Sequence, residues 1–315
     1  VNSGTSGQHL GLLAAGVGPG DEVIVPSFTF AATGNSVALT GATPVFADIE
    51  GDYFSLAPEA VRAAITPRTK GIMPVHLYGH PFLVDEIEAI AKEHGLAVYE
   101  DAAQAHGASW NGRPVGTIGE FAMFSLYPTK NMTSGEGGMV TCASEETARG
   151  VRLLRNQGME KQYENEVVGF NARMTDIHAA IGRVQLTKVD EWTRQRQRNA
   201  AALNAGLAGL AGVETPRVAE GAVHVYHQYT IRVDARERDR IRQALQDEHG
   251  VGSGVYYPIP NHRLPSLAEF APGLELPETE RAASEVLSLP VHPSLSDGDL
   301  ERIIAGVTAV TRAGA

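Results

Sequence analysis

Over residues 1–150 of a 315-residue chain, short apolar runs alternate with segments of helical period, and that alternation restricts the fold more than any other feature. Residues 21–26 (DEVIVP), 44–49, 71–76, 96–101 (LAVYED), 120–126 and 138–142 predict strands, with helices between them at 31–40, 58–65 and 84–94. In the last helix Val84, Ile87, Ile90 and Ala91 follow a helical spacing, and Gly95 predicts its stop. Strands that are apolar throughout and joined by helices require a mostly parallel sheet covered on both faces. Beyond residue 142 helix predominates: 145–156, one long helix over 175–210, and 234–249. Strands are expected at 223–233 and 253–257, and the tail 278–311 reads as helical apart from LPVHP at 289–293. The expected division is a large α/β domain over 1–190, then a connecting helix and a smaller α+β domain over 191–315.

Several function classes drop out early. Twenty-six Lys and Arg against 37 Asp and Glu leave a net charge of −11, so no nucleic-acid partner is expected. Cys142 is the single cysteine, which excludes an intrachain disulfide framework and a Cys-rich zinc site. No run approaches ~18 apolar residues, so no membrane span is expected. The chain opens on Val1-Asn2-Ser3-Gly4 without a signal peptide, and a cytoplasmic location is expected. No H-E-x-x-H or G-x-S-x-G motif occurs. No metal site is expected either: His224 and His227, three apart on an expected strand, would point to opposite faces. Gly16-Val17-Gly18-Pro19-Gly20 precedes a strand rather than following one, so it reads as a turn and not a dinucleotide fingerprint.

Ligands of an open parallel sheet sit beyond the carboxyl ends of its strands. After LAVYED comes Asp101-Ala-Ala-Gln104-Ala-His106. A carboxylate ending a buried strand is costly unless paired, although Asp101 alone also reads as the cap of a turn. A second strand delivers Ser125 and Lys130 to a loop ending in Ser134-Gly-Glu-Gly-Gly138. A desolvated lysine is a usable amine nucleophile; taken alone, Lys130 reads more readily as a solvated loop residue. Asn2-Ser3-Gly4-Thr5-Ser6-Gly7 precedes a helical stretch and reads equally as a phosphate site or an ordinary helix cap. Together these supply an amine, a buried carboxylate and a phosphate cradle, the set that pyridoxal phosphate needs. Phe30, just after the first strand, would cover the ring face; alone it reads more readily as a core aromatic.

The segments NSGTS (2–6), PSFTFAAT (26–33), PVHLYGHP (74–81), EDAAQAHGA (100–108), FSLYPTKNMTSGEGGMV (124–140) and GFNARMTDIHAAIGRVQL (169–186) resemble the DegT/StrS-type nucleotide-sugar aminotransferases. These are fold-type I, pyridoxal-phosphate-dependent enzymes, and the resemblance runs in order from residue 1 to about residue 300. It implies an amino group moved from glutamate or glutamine to a keto nucleotide sugar, through pyridoxamine phosphate, in amino-sugar biosynthesis. It implies a homodimer with active sites built between subunits. By motif, Lys130 would hold the cofactor as an internal aldimine and shuttle a proton, and Asp101 would pair with the pyridinium nitrogen. Gln104 would lie against the ring, Phe30 would stack on it, and Gly4, Thr5 and Ser125 would bind the phosphate. Asn171 would reach the phosphate of the partner subunit's cofactor.

The family carries a segment ahead of NSGTS that this sequence does not contain. His80 stands where the family usually has Gln, beside a loop that contacts substrate. Tyr257, His262 and Arg263 lie in a segment (YPIPNHR, 257–263) resembling the sugar loop, which leans toward amination at C3. An acidic protein must concentrate cations where an anionic substrate binds, and Arg173, Lys161 and Arg263 are the candidates. His76 and His106 read equally as site or structural histidines, whereas Arg194, Arg196 and Arg198 read as a solvated helix face. Two alternatives stay open: a sugar dehydratase of the same family, whose members replace the lysine with histidine, and a non-catalytic regulator.

Overall fold

The computed structural model describes residues 1–312. In chain order its first elements are α1 (Gly4–Ala14), β1 (Glu22–Pro26), α2 (Ala32–Ala38), β2 (Thr43–Ala47), α3 (Pro58–Ala64), β3 (Thr69–Ile72), α4 (Val84–His94) and β4 (Ala97–Asp101). Two-residue strands β5 (Ser109–Trp110) and β6 (Arg113–Pro114) follow, then β7 (Phe121–Ser125), β8 (Gly138–Cys142) and α5 (Glu145–Arg155). The remainder comprises α6 (Asp176–Leu186), α7 (Val189–Leu207), β9 (Val213–Glu214), β10 (Ala222–Val223), β11 (Tyr229–Val233), α8 (Arg238–His249), α9 (Pro277–Glu285), β12 (Val286–Leu289) and α10 (Asp297–Arg312).

Six strands form the central sheet in the order β2-β1-β3-β4-β7-β8, parallel except for β8. The buried apolar residues of β1 and β4 serve cores on both faces: Val23, Val25 and Tyr99 on one, Ile24 and Val98 on the other. Gly95 ends α4 in the left-handed conformation (φ 66°), which a glycine adopts without steric cost. Helix α1 lies directly on the sheet: a Cβ at Gly11 would sit 2.5 Å from the Phe121 ring. That close approach brings the N-terminus of α1 to the carboxyl ends of the strands. A second, antiparallel sheet (β12-β11-β9) packs against α7, α8 and α10 around Leu203, Ile231, Leu245, Leu287 and Val307.

Four expectations for the C-terminal half are corrected. The helix over 175–210 is two helices, broken at Thr187-Lys188. Their faces do not continue one another, since α6 exposes Ile177, Ile181 and Val184 whereas α7 buries Ala200, Leu203 and Leu207. The strand over 223–233 survives only at its ends; residues 224–228 form a loop in which Tyr226 takes φ 45°. His224 and His227 are therefore loop residues, both buried, and not opposite faces of a strand. Residues 253–257 form no strand, only a bridge from Gly254 to Ser288, and the tail interrupts its helices with β12. The VLSL run is too short for its period to separate a buried strand from helix; pairing with β11 decides it.

Candidate active site

The cavity of about 1120 Å³ opens where α1 begins and β4 and β7 end. Ser3 caps α1: its hydroxyl accepts from Ser6 N–H (3.1 Å) and its carbonyl from Gly7 N–H (3.1 Å). The N–H groups of Gly4 and Thr5 have no acceptor among the described residues, and both residues line the cavity. A Cβ at Gly4 would meet Met123 Sδ at 2.9 Å and Ser125 Cβ at 3.1 Å, so the helix start is seated against the end of β7. Two free amides at a helix N-terminus, with the Ser125 hydroxyl beside them, form an anion cradle.

Asp101 ends β4 as a buried carboxylate. Thr33, inside α2, donates its hydroxyl to Oδ2 (2.7 Å), and Ala103 N–H donates to Oδ1 (3.2 Å). Lys130 faces the same cavity from the loop after β7, folded back by a turn in which its N–H donates to the Tyr127 carbonyl (3.0 Å). Burial lowers its amine below the ordinary lysine value of 10.5, and the Asp101 carboxylate partly opposes this. Burial, then the Lys130 charge, pushes His106 down to about 4, and neither of its ring nitrogens has a partner. His227 is held well below 6.5 by burial and the same cation, with Nδ1 3.2 Å from Asn131 Oδ1. Both imidazoles are neutral at physiological pH, which leaves Asp101 to counter the amine.

The opposite wall is aromatic. Gln104 Oε1 accepts from Tyr78 N–H (2.6 Å) while Nε2 donates to the Tyr257 hydroxyl (2.8 Å), so the amide is fixed at both ends. Burial raises the Tyr257 phenol, which stays protonated. Phe30 is 61% exposed at the mouth, its ring 6.4 Å from that of Tyr257.

Gly4, Thr5, Phe30, Asp101, Gln104, Ser125, Lys130 and Tyr257 thus converge on one cavity. Other sequence candidates do not. His80 is buried elsewhere: its Nδ1 faces the Pro81 carbonyl (2.6 Å), Nε2 accepts from Ala219 N–H (3.0 Å), and its ring stacks on Tyr53. His262 and Arg263 are both turned onto Glu280, at 3.1 and 2.6 Å, away from the cavity. Lys161 is exposed and pairs with Glu164. Arg173 bonds the Asn156 side chain (3.0 Å) on the exposed segment that also carries Asn171, outside this chain's own cavity. His76 is held between the Glu100 carboxylate (3.1 Å) and Phe82 N–H, as a structural residue.

The site also draws on residues not singled out from the sequence, some on the cavity wall and one, Thr33, buried behind Asp101. Thr33 lay inside a quoted motif without an assigned role. Gln8, one turn along α1, lines the cavity with both ends of its buried amide unpartnered. Arg196 overturns the reading of its arginine run as one solvated face: it is 8% exposed and lines the cavity. Residues two apart on a helix point about 200° apart, so Arg194 and Arg198 face solvent while Arg196 joins the buried stripe of Asn199, Ala200, Leu203 and Leu207. That stripe was the available signal. No group of three or more potential metal ligands occurs among the described residues, and none of the described helices is long and apolar enough to cross a membrane.

The sequence profile of the DegT/DnrJ/EryC1/StrS aminotransferase family matches residues 1–308. A pleiotropic regulatory protein of Geobacillus stearothermophilus is 44% identical across 98% of this chain and 84% of its own length. The dTDP-3-amino-3,4,6-trideoxy-alpha-D-glucose transaminase of Streptomyces venezuelae is 43% identical across 98% of this chain and 81% of its own. Among solved structures, S. venezuelae DesV in complex with a ketimine intermediate has a TM-score of 0.94 at 43% identity, covering 98% of this chain and 83% of that one. NtdA of Bacillus subtilis with bound cofactor PMP has a TM-score of 0.92 at 34% identity, covering 99% of this chain and 72% of that one. The α/β architecture is accordingly that of the fold-type I transferases. By profile, identity and fold alike, the chain belongs to the DegT/DnrJ/EryC1/StrS aminotransferase family.

Proposed function

We propose that the chain is a pyridoxal-phosphate-dependent aminotransferase that moves an amino group from glutamate or glutamine to a keto nucleotide sugar, for amino-sugar biosynthesis. The observation that carries the reading is one cavity that holds a desolvated Lys130 amine, a buried Asp101 carboxylate and an amide cradle. Those residues fit the cofactor. The Gly4 and Thr5 amides and the Ser125 hydroxyl would take its phosphate, Asp101 its ring nitrogen, and Lys130 its reactive carbon by a covalent bond. Gln104 and Phe30 would flank the ring. When bound, the group supplies an electron sink for the carbon that bears the migrating amine.

The chain's own residues do the rest. Asp101, fixed by Thr33 and Ala103, would hold a proton at the ring nitrogen and keep the sink positively charged. Once displaced by substrate, the Lys130 amine has its basicity lowered by burial and would carry a proton off one carbon and onto another. The aromatic wall of Tyr257, Tyr256 and Phe30 would exclude water and face the sugar. The cavity exceeds a cofactor's needs and lies at the upper end for a bound small molecule, which suits a nucleotide sugar. The 3-amino sugar named for the S. venezuelae relative supports a keto group at C3.

The test follows nitrogen. The holoprotein, given 15N-glutamate or amino-15N-glutamine and a 3-keto nucleotide sugar, is expected to yield from one of the two donors 15N-amino sugar and the matching 2-oxo acid in equal amounts. Cofactor binding without any nitrogen transfer would contradict the reading. It would favour the second one, a non-catalytic regulator, which the name of the G. stearothermophilus relative supports.

We propose further that two copies share their sites. Ile177, Ile181 and Val184 form an exposed apolar stripe on α6, with Phe170 and Val168 exposed on the segment before it. Asn171 lies between these patches, exposed and placed to reach a partner's cavity. Light scattering is expected to give twice the 33.5 kDa chain mass, and Ile181→Asp to give a single chain that binds the cofactor at least about tenfold more weakly. A single chain in the native protein would contradict the shared site.

A further inference from the structure

Helix α7 brings one guanidinium to the cavity without a counterion. Arg196 Nη1 donates to the carbonyls of Tyr226 (3.0 Å) and His227 (3.4 Å), which leaves Nε and Nη2 without a partner among the described residues. It forms no ion pair with any described carboxylate, although 16 Arg or Lys pairs with carboxylates occur elsewhere among the described residues. Burial lowers it only to about 10, so it remains a cation at neutral pH. A buried cation with nothing opposite is costly, and folded chains retain one where an anion arrives from outside. On the wall of the same cavity, the Ser253 hydroxyl is also buried and unpartnered among the described residues.

The cavity therefore holds two anion sites of different chemistry. The amide cradle of α1 suits a compact phosphate. The free Nε–Nη2 edge of Arg196 is a planar fork, which matches the two oxygens of a carboxylate. Its position selects among carboxylates. His227 holds Arg196 through its carbonyl (3.4 Å), and its ring Nδ1 lies 3.2 Å from the side-chain oxygen of Asn131, the residue that follows Lys130. The guanidinium thus shares a stretch of the cavity wall with the Lys130 loop. In an α-amino acid the carboxylate is bonded to the carbon that carries the nitrogen, so a cation beside the amine centre meets it. A nucleotide diphosphate lies many bonds from the reacting carbon of its sugar. We infer that Arg196, assisted by Ser253, binds the α-carboxylate of the amino-acid donor.

This inference rests on the amine-transfer reading, and its test separates the two. In the holoprotein, Arg196→Gln is expected to raise the KM for L-glutamate about tenfold or more while the KM for the keto nucleotide sugar stays within about twofold. Arg196→Lys keeps the charge and loses the fork, and should fall between. Ser253→Ala removes a hydroxyl with no protein partner, so it leaves the fold intact and is expected to raise the same KM about three- to tenfold. Calorimetry with glutarate, a dicarboxylate that has no amine to give, reads the site without turnover. The wild-type protein is expected to bind it, and Arg196→Gln about tenfold or more weakly. A wild-type protein that binds no glutarate, or an Arg196→Gln variant that binds it equally well, overturns the inference even if amine transfer is intact. Glutarate binding that depends on Arg196, in a protein that transfers no nitrogen, leaves the carboxylate site standing and overturns the amine-transfer reading instead.

Discussion

Lys130→Ala is expected to lower amine transfer by about 10⁴-fold or more, at or beyond the upper end of what one positioned acid–base group contributes. The substitution removes two roles at once: the covalent anchor and the base that moves the proton. The cradle that would take the phosphate is independent of it. Gly4 and Thr5 belong to α1, Ser125 to β7, and Asp101 to β4, and none leans on the Lys130 side chain. The variant should therefore still bind the cofactor, now removable by dialysis. Exogenous methylamine should restore part of the proton transfer. Turnover at more than about a hundredth of the native rate would show that the base is another residue.

Asp101→Asn is expected to cost about 10²–10³ in kcat, the range for removing one charge or donor from a preorganised site. Asparagine retains an acceptor for Thr33, so the loss reports charge rather than collapse of the strand end. The substitution also has a signature on Lys130. A carboxylate favours the ammonium form, so removing it lowers the lysine pKa further below 10.5. The pH at which the cofactor-free protein captures pyridoxal at half its maximal rate should fall in the variant. An upward shift would mean that Asp101 does not face the amine.

The six-stranded sheet was legible because most of its strands are short, mainly apolar runs that alternate with helices, a pattern that points to a mostly parallel sheet. The cavity-lining candidates among the motif residues were legible because they follow a strand or open a helix, where parallel sheets place their ligands. Elements held by pairing rather than period were not. β12 is a four-residue apolar run at the end of a helical pattern, and only β11 opposite makes it a strand. Two of the candidate substrate cations lie outside this chain's own cavity. Arg263 and Lys161 are cations in suggestive segments, but each has a carboxylate of its own: Glu164 is three residues from Lys161, whereas Glu280 is brought to Arg263 only by the fold. Arg196 was hidden by its neighbours: three arginines at alternate positions suggest a solvated surface until the buried stripe of α7 is followed back to them.

The central claim is that Lys130 is the cofactor's anchor. Of the chain's five lysines, Lys70, Lys92, Lys161 and Lys188 are exposed and only Lys130 is shielded in the cavity. The direct measurement is to load the protein with pyridoxal phosphate, reduce it with borohydride and map the modified peptide by mass. The account predicts one pyridoxyl group per chain, on Lys130, absent from Lys130→Ala. Label spread over the four exposed lysines, or none on folded protein, would contradict it.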